Sequence, residues 1–543
     1  MDSCKMEKTE KTEKTQVFPG IYPEDIEASC VELGPITTFA RELTVDVAVC
    51  GAGAAGVPAA VRAAALGASV AVLQKESAAV SQGNCASAVV KGDSTEAGLK
   101  KWLTFATAVN SWRPNRKLLE AYLDRSEEAI AFLLQRGGIT EENEWKNERY
   151  GVSKYQDTST VMTGVMHDGT QTFDFGEDKV SVFAPWFGPK PKNIGTLVAG
   201  ILEDARAEYG ERFQVFYRTP VVSLLRDENG AVVGCVGKDA DGNYIRINAR
   251  SVILATGSYE NNASMVERFC PDIKDFDKKV VRRTGDGNIL AIAAGGVMEP
   301  VAHSHIMHDF DAGLMWDEPT FLDLNMNGER FVCEEVDMAY ISNVLRWQPA
   351  FKGSNTDPEH RENGSLGWYV QIYDNDYMSY AKGPVPEFVM KRYLKEEDPS
   401  LHVGVFAGLI DTFRADTLEE LAEKLGLPKE QVVSSVARYN ELCEKGCDDD
   451  FGKKPEYLHK LQTAPFWGIR RHIRCSSITA GVLTDEFGRV VTASGSVIPG
   501  LYAAGNLGGQ FYGAPDYPFF HPGLSLGHAV TAGYIAGEHA AKK

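Results

Sequence analysis

The sequence predicts an α/β protein in which a discontinuous Rossmann-like domain is interrupted by an inserted α+β domain. Two stretches carry that expectation. Residues 45–50 form a short apolar run that leads straight into Gly51-Ala-Gly-Ala-Ala-Gly56. Near the C-terminus the same strand-to-glycine grammar returns, with residues 501–504 entering Gly505-Asn506. Between them, residues 298–461 are loop-rich and aromatic, and 543 residues are more than one core accommodates. The expected division is residues 1–43 as tail and lead-in, 44–297 and 464–543 as the two parts of the first domain, and 298–463 as the insertion.

The elements can be justified in chain order. Residues 1–16 are a Lys/Glu/Thr tail without apolar periodicity, expected to be disordered. Residues 45–50 read as a buried parallel strand, 57–66 as an Ala-rich helix ended by Gly67, and 69–73 as the next strand. Strand, tight turn, helix and strand within about thirty residues is one dinucleotide-binding unit. Gly51 permits the tight turn, Gly53 admits a pyrophosphate close to the backbone, and Gly56 lets helix pack on strand. The amides of Ala54 and Ala55 then open a helix whose positive end suits phosphate. Where an acidic residue usually meets a ribose, this chain has Gln74 followed by Lys75; the amide oxygen can accept a hydroxyl without charge.

Further on, 118–136 and 195–208 carry helical periodicity, while 213–226 and 232–238 read as strands around the turn Asp227-Glu-Asn-Gly230. Residues 247–255 hold another strand, leading into Thr256-Gly257. In the insertion, 417–425 and 428–443 are helices, the first capped by Asp416 or Thr417 with Glu420 placed for a capping box and the second with Pro near its first turn.

Composition excludes several functions. A formal net charge of -19 argues against a duplex-binding surface. The 10 cysteines form no disulfide-like or metal-binding framework, so reduced thiols in a cytoplasm are expected. The tail 1–16 has no twin arginine and no export-type apolar segment, and no apolar run in the sequence approaches the roughly 20 residues of a membrane span. Thr284-Gly-Asp-Gly287 and the Gly505-Asn506 turn, far from the first fingerprint, suit a cofactor as long as FAD. A second fingerprint for a nicotinamide is missing, which points to an external electron carrier.

Ser81–Ser87 (with Gln82-Gly-Asn-Cys-Ala-Ser87), Asn327-Gly-Glu-Arg-Phe331, Asp450-Phe-Gly-Lys453 and Pro465-Phe-Trp467 add motifs in a consistent order. With these, the chain resembles the FAD-dependent family that unites fumarate reductase flavoproteins with 3-ketosteroid dehydrogenases, from about Thr44 to Ala541. The resemblance implies an FAD-binding domain interrupted by a cap domain, with substrate between cap and flavin. It implies cofactor contacts at Gly51, Gly53, Ala54, Ala55, Gly56, Gln74, Lys75, Asn84, Ser87 and Val222, then at Thr256, Gly257, Asp286, Gly505, Asn506, Ser525 and Leu526. A final helix starting near Gly523 would direct its N-terminus at the flavin pyrimidine.

The fumarate-reductase pattern is broken in three places. After Arg330-Phe-Val-Cys-Glu334 the acid position holds Met338, Ser477 replaces a histidine, and the late Asn-Arg-Leu-Gly-Gly clamp is absent. The ketosteroid branch implies Tyr340 as proton donor, and Tyr517 with a glycine amide, here Gly527, holding a substrate carbonyl; His521 could replace Tyr517. Tyr340 could equally be a core aromatic of the cap, and Tyr517 ordinary packing beside a proline. His303, His305 and His308 are expected in a loop, solvent-facing or substrate-lining rather than metal ligands. Arg470, Arg471 and Arg474 could clamp a carboxylate or form a solvated strand edge. The expected activity is FAD-dependent dehydrogenation or reduction of a C–C bond beside a carbonyl, on a 3-oxo steroid or bile-acid-like compound. The alternatives are a reductase of unsaturated carboxylic acids and a non-catalytic flavin electron carrier.

Overall fold

The computed structural model describes residues 16–140, 146–147, 152–153, 170–187, 192–351, 365–396, 398–521 and 523–542; nearly all of the charged tail lies outside them. The strand Arg41–Cys50 is the centre of the main sheet. It runs parallel to Val70–Leu73 on one side and to Tyr244–Leu254 on the other. Phe213–Phe216 extends the sheet beyond Val70–Leu73, and Val497–Ala503 joins Tyr244–Leu254 in parallel. The returning C-terminal segment therefore completes a sheet begun near the N-terminus. Val221–Arg226 and Val232–Lys238 form the hairpin expected from Asp227–Gly230 and add antiparallel to Tyr244–Leu254. The run 213–226 divides into two strands at opposite edges of this sheet, a separation that local pattern does not encode.

The helix Gly56–Ala65 lies between this sheet and the final helix, Leu524–Lys542. Gly533 and Gly537 make that packing possible. A Cβ at Gly533 would lie 2.0 Å from the Ala55 carbonyl oxygen, and one at Gly537 would lie 2.2 Å from that of Ala59. Backbones approach this closely only where the side chain is absent.

The insertion is built on a four-stranded antiparallel sheet in the order Leu322–Leu324, Trp368–Tyr373, Phe466–His472, Thr412–Ala415. Phe466–His472 thus lies in the small sheet although it follows the boundary expected at 463. Leu418–Leu425 and Lys429–Lys445 share a core with that sheet. Thr417 caps the first by accepting the Glu420 N–H at 3.2 Å, as its sequence predicts, and Pro428 precedes the second. The Arg330-Phe-x-x-Glu334 motif is a brace: Arg330 bonds Glu334 at 2.7 and 2.8 Å and Asp448 at 2.8 and 3.0 Å. Lys453 adds its ammonium 3.4 Å from Glu334. Among the described residues no helix is long and apolar enough to cross a membrane, and no cluster of His, Cys, Asp and Glu could hold a metal.

Candidate active site

The glycine loop is sterically enforced. Gly51 has φ +109°, and a Cβ there would lie 2.3 Å from the Ala255 carbonyl oxygen; at Gly56 it would lie 1.9 Å from the carbonyl oxygen of Gly51. Gly53 is less crowded, with a Cβ position 3.2 Å from the Val80 carbonyl oxygen. The turn therefore opens the helix with its Ala54 and Ala55 amides at the positive end, a cradle suited to a diphosphate. Gln74 differs from the expectation. Its side-chain oxygen accepts the Ala52 N–H at 3.2 Å and its NH₂ donates to Ala78 at 2.7 Å. Both ends of the amide brace the loop, and the side-chain oxygen keeps one lone pair.

Lys75, expected at the adenosine end, is tied to the Thr284–Gly287 turn. Its ammonium lies 3.1 Å from Asp286 Oδ2 and 3.0 Å from Thr284 Oγ1. Gly287 donates its N–H to Thr256 Oγ1 at 3.1 Å, joining the Thr256-Gly257 turn to the Thr284–Gly287 turn. Val222 lies where the ladder shifts register between Val221 and Ser223, which removes it from regular pairing.

At the opposite end, Gly505 (φ +70°) comes against the fingerprint, its Cβ position 2.9 Å from that of Ala55. Asn506 donates to Ser477 Oγ at 2.7 Å, while its Oδ1 is buried without a hydrogen-bond partner among the described residues. An acceptor left bare inside a protein costs about 1–3 kcal/mol, so a hydroxyl-bearing ligand such as the ribityl chain of FAD fits this position. These features, with the glycine cradle, fit FAD.

Several expected contacts have other roles. Asn84 donates to the carbonyls of Phe187 and Lys192, fastening that loop. Ser87 lies 3.1 Å from both His521 Nδ1 and Tyr122 Oη. Gly527 donates its N–H to Gly523 at 2.8 Å within the final helix and so is not free to polarise a substrate oxygen. Its service is steric, since a Cβ would lie 2.1 Å from the Ser87 carbonyl oxygen. Leu526 packs over Gly83, whose Cβ position lies 2.6 Å from Leu526 Cδ1. His521 is buried among Trp102, Tyr122, Phe173 and Phe520. It is part of an aromatic core bonded to Ser87, not a stand-in for Tyr517.

Tyr517 does meet the final helix. Its hydroxyl accepts the Ser525 N–H at 3.1 Å, and its ring stands among Tyr512 and Phe519. Burial pushes its phenol well above the usual range, so it stays protonated and able to donate. Tyr340 is 45% exposed in the short helix Met338–Leu345, which excludes the core-aromatic alternative. Its phenol is raised by partial burial, then by Asp337 and Asp516. One helical turn on, Asn343 donates to Asp516 Oδ2 at 3.0 Å. His305 Nε2 lies 3.7 Å from Asp516 Oδ1, and His305 Nδ1 lies 3.3 Å from the His303 carbonyl oxygen. His305 Nδ1 also lies 3.6 Å from Cys270 Sγ, and burial lowers its imidazole, which favours the neutral ring.

The histidine group is not a solvent-facing loop. His303 and His305 are buried, and His305–His308 is a strand paired with Arg474–Ile478. His303 accepts from Tyr259 and donates to the Glu299 carbonyl at 2.9 Å, and burial lowers its imidazole to about 4. His308 stacks on Phe310 at 4.0 Å and lies 3.0 Å from Lys279 Nζ. The arginines are not a solvated edge either. Arg470 binds Asp411 at 2.8 and 3.1 Å, and Arg471 bonds Gln371 and three backbone carbonyls. Sequence reasoning missed Asp516 and the buried pair Glu260–Arg283 (3.2 Å), which joins Ser258 (2.5 Å) to Ser477, the residue in the histidine position. No local motif marks either one.

The glycine cradle, the buried Asn506 acceptor and the Tyr517 phenol at the start of the final helix fit an FAD-dependent oxidoreductase, and the relatives of this chain are enzymes acting on CH–CH or C=C bonds. The chain belongs to the FAD binding domain family, which it matches over residues 46–515. It is 28% identical to the vinyl phenol reductase of Lactiplantibacillus plantarum, over 93% of this chain and 98% of that protein. It is also 28% identical to a 3-oxosteroid 1-dehydrogenase of Mycolicibacterium smegmatis, over 66% of this chain and 64% of that protein. The fold is shared with the open conformation of a flavocytochrome c3 fumarate reductase (TM-score 0.67, 22% identity, 93% of this chain and 79% of that one). It is shared too with a 3-ketosteroid delta1-dehydrogenase of Sterolibacterium denitrificans (TM-score 0.63, 19% identity, 92% and 99%).

Proposed function

We propose that this protein reduces a carbon–carbon double bond conjugated to a neutral oxygen, as in a hydroxystyrene or an enone, using electrons from an external carrier. The observation that carries this reading is the buried Tyr517 hydroxyl at the start of the final helix, 3.1 Å from the Ser525 amide. Bound FAD supplies the hydride. In an enone Tyr517 would direct its O–H at the carbonyl oxygen, where the helix end favours the negative charge that develops, an effect of about 3 kcal/mol per well-placed donor. In a 4-hydroxystyrene the phenol proton must leave and the vinyl terminus be protonated before the benzylic carbon takes the hydride, and the same hydroxyl would then hold the phenolate oxygen. Tyr340 gives the second carbon its proton, and Asp516, which accepts from Asn343 one turn along the same helix, adds to the partial burial that raises its phenol.

A carboxylate substrate is disfavoured because Arg470 and Arg471 are engaged inside the small sheet. The end-to-end likeness to a vinyl phenol reductase favours a hydroxystyrene over the larger 3-oxo steroid of the first expectation. Anaerobically reduced protein mixed with 4-hydroxystyrene, a 3-oxo-4-ene steroid or fumarate tests this. Return of oxidised-flavin absorbance with the hydroxystyrene is expected; return with fumarate alone sinks the reading.

A further inference from the structure

The family match begins at residue 46, yet the segment before it is tied into the nucleotide end of the site. Residues 16–34 cross the FAD-binding domain as a strap with two fastenings. At the outer one, Asp25, which is 1% exposed, accepts from Arg268 Nη2 at 2.5 Å, and Asn262 donates to the Asp25 carbonyl at 3.0 Å. At the inner one, Cys30 donates its N–H to Asp286 Oδ1 at 3.2 Å, and Glu32 donates its N–H to the Val222 carbonyl at 2.8 Å. The Glu32 carboxylate is anchored in turn by Lys238 at 2.8 Å and Tyr244 at 2.6 Å.

Within three residues the strap therefore passes from Asp286, the partner of Lys75, to the irregular Val222. Both are positions where the nucleotide end of a bound FAD is expected. A carbonyl accepts two hydrogen bonds, so Val222 keeps a lone pair for a base while bonded to Glu32. We infer that residues 16–34 are a clasp over the adenosine end of the FAD site, with Cys30 to Glu32 as its inner edge, and that FAD leaves only when the clasp opens.

The test uses the holoprotein. Glu32→Pro removes the N–H that reaches Val222, and Asp25→Ala unties Arg268 at the other fastening. FAD release is followed as the rise of free-flavin fluorescence on dilution. Each variant is expected to release FAD about tenfold faster than the parent, with kcat at saturating FAD unchanged. Release at the parental rate in both overturns the inference. An independent measurement needs no variant: N-ethylmaleimide modification of Cys30, against the exposed Cys447, in FAD-loaded and FAD-stripped protein. Cys30 is expected to react about tenfold more slowly when FAD is bound. Equal rates in the two forms overturn the inference.

Discussion

The two ends of the site are built by different means. The diphosphate end is a matter of backbone: Gly51 and Gly56 leave no room for a Cβ, and the helix amides do the binding. The proposed substrate end is a matter of side chains drawn from distant parts of the chain, with Tyr340 and Asn343 on a helix of the insertion and Asp516 and Tyr517 just before the final helix. A backbone site tolerates no added atom but is indifferent to most side-chain chemistry. A side-chain site keeps its fold when an oxygen is removed and loses only rate.

The contrast is open to experiment. Gly56→Ala places a Cβ 1.9 Å from a carbonyl oxygen, so FAD affinity should fall by about a hundredfold or more, read by flavin titration of the stripped protein. Purification of this variant fully yellow would show that the loop yields more readily than its contacts imply. Tyr340→Phe should lower kcat by about a hundredfold while leaving FAD binding unchanged. Full activity on the hydroxystyrene would remove Tyr340 from proton transfer. Tyr517→Phe should cost about tenfold to a hundredfold in kcat/KM, with the flavin spectrum intact. An equal loss of FAD would mean that Tyr517 supports the helix end rather than the substrate.

The smallest effect concerns stability. Burial raises the Glu299 carboxyl from 4.5 to about 8 in the folded protein. Its neutral form contributes fully below pH 4.5, and the contribution is lost as pH rises toward 8, because only the folded state retains the proton. Glu299→Gln keeps the acceptor that binds the Gln510 N–H without titrating. Between pH 5 and 8 the Tm of the parent should therefore decline by about 2 °C or more relative to this variant. Parallel Tm curves would show that Glu299 is ionised in the fold.

The nucleotide end was the more legible. Glycine spacing, the flanking strands and the Thr284–Gly287 turn have local signatures, and the turn does meet Thr256. The substrate end was legible in residue type but not in partnership. Tyr340 and Tyr517 were singled out, whereas Asp516, His305 and the Glu260–Arg283 group were not connected to them. Arg470 and Arg471 had the right chemistry for a carboxylate clamp, and only the small sheet shows them facing inward. Gly527 had the right position for an amide donor, and only the helix shows its N–H engaged.

Periodicity and glycine placement were enough to specify a parallel α/β domain, its phosphate turn and its interruption, because those depend on backbone dihedrals and on burial repeating at short range. Pairing of the returning strand with Tyr244–Leu254, the approach of Gly533 and Gly537 to the fingerprint helix, and the meeting of His305 with Asp516 came from the folded chain alone. These depend on which distant backbones come within a few ångströms of one another, and close packing decides that only when every element is in place.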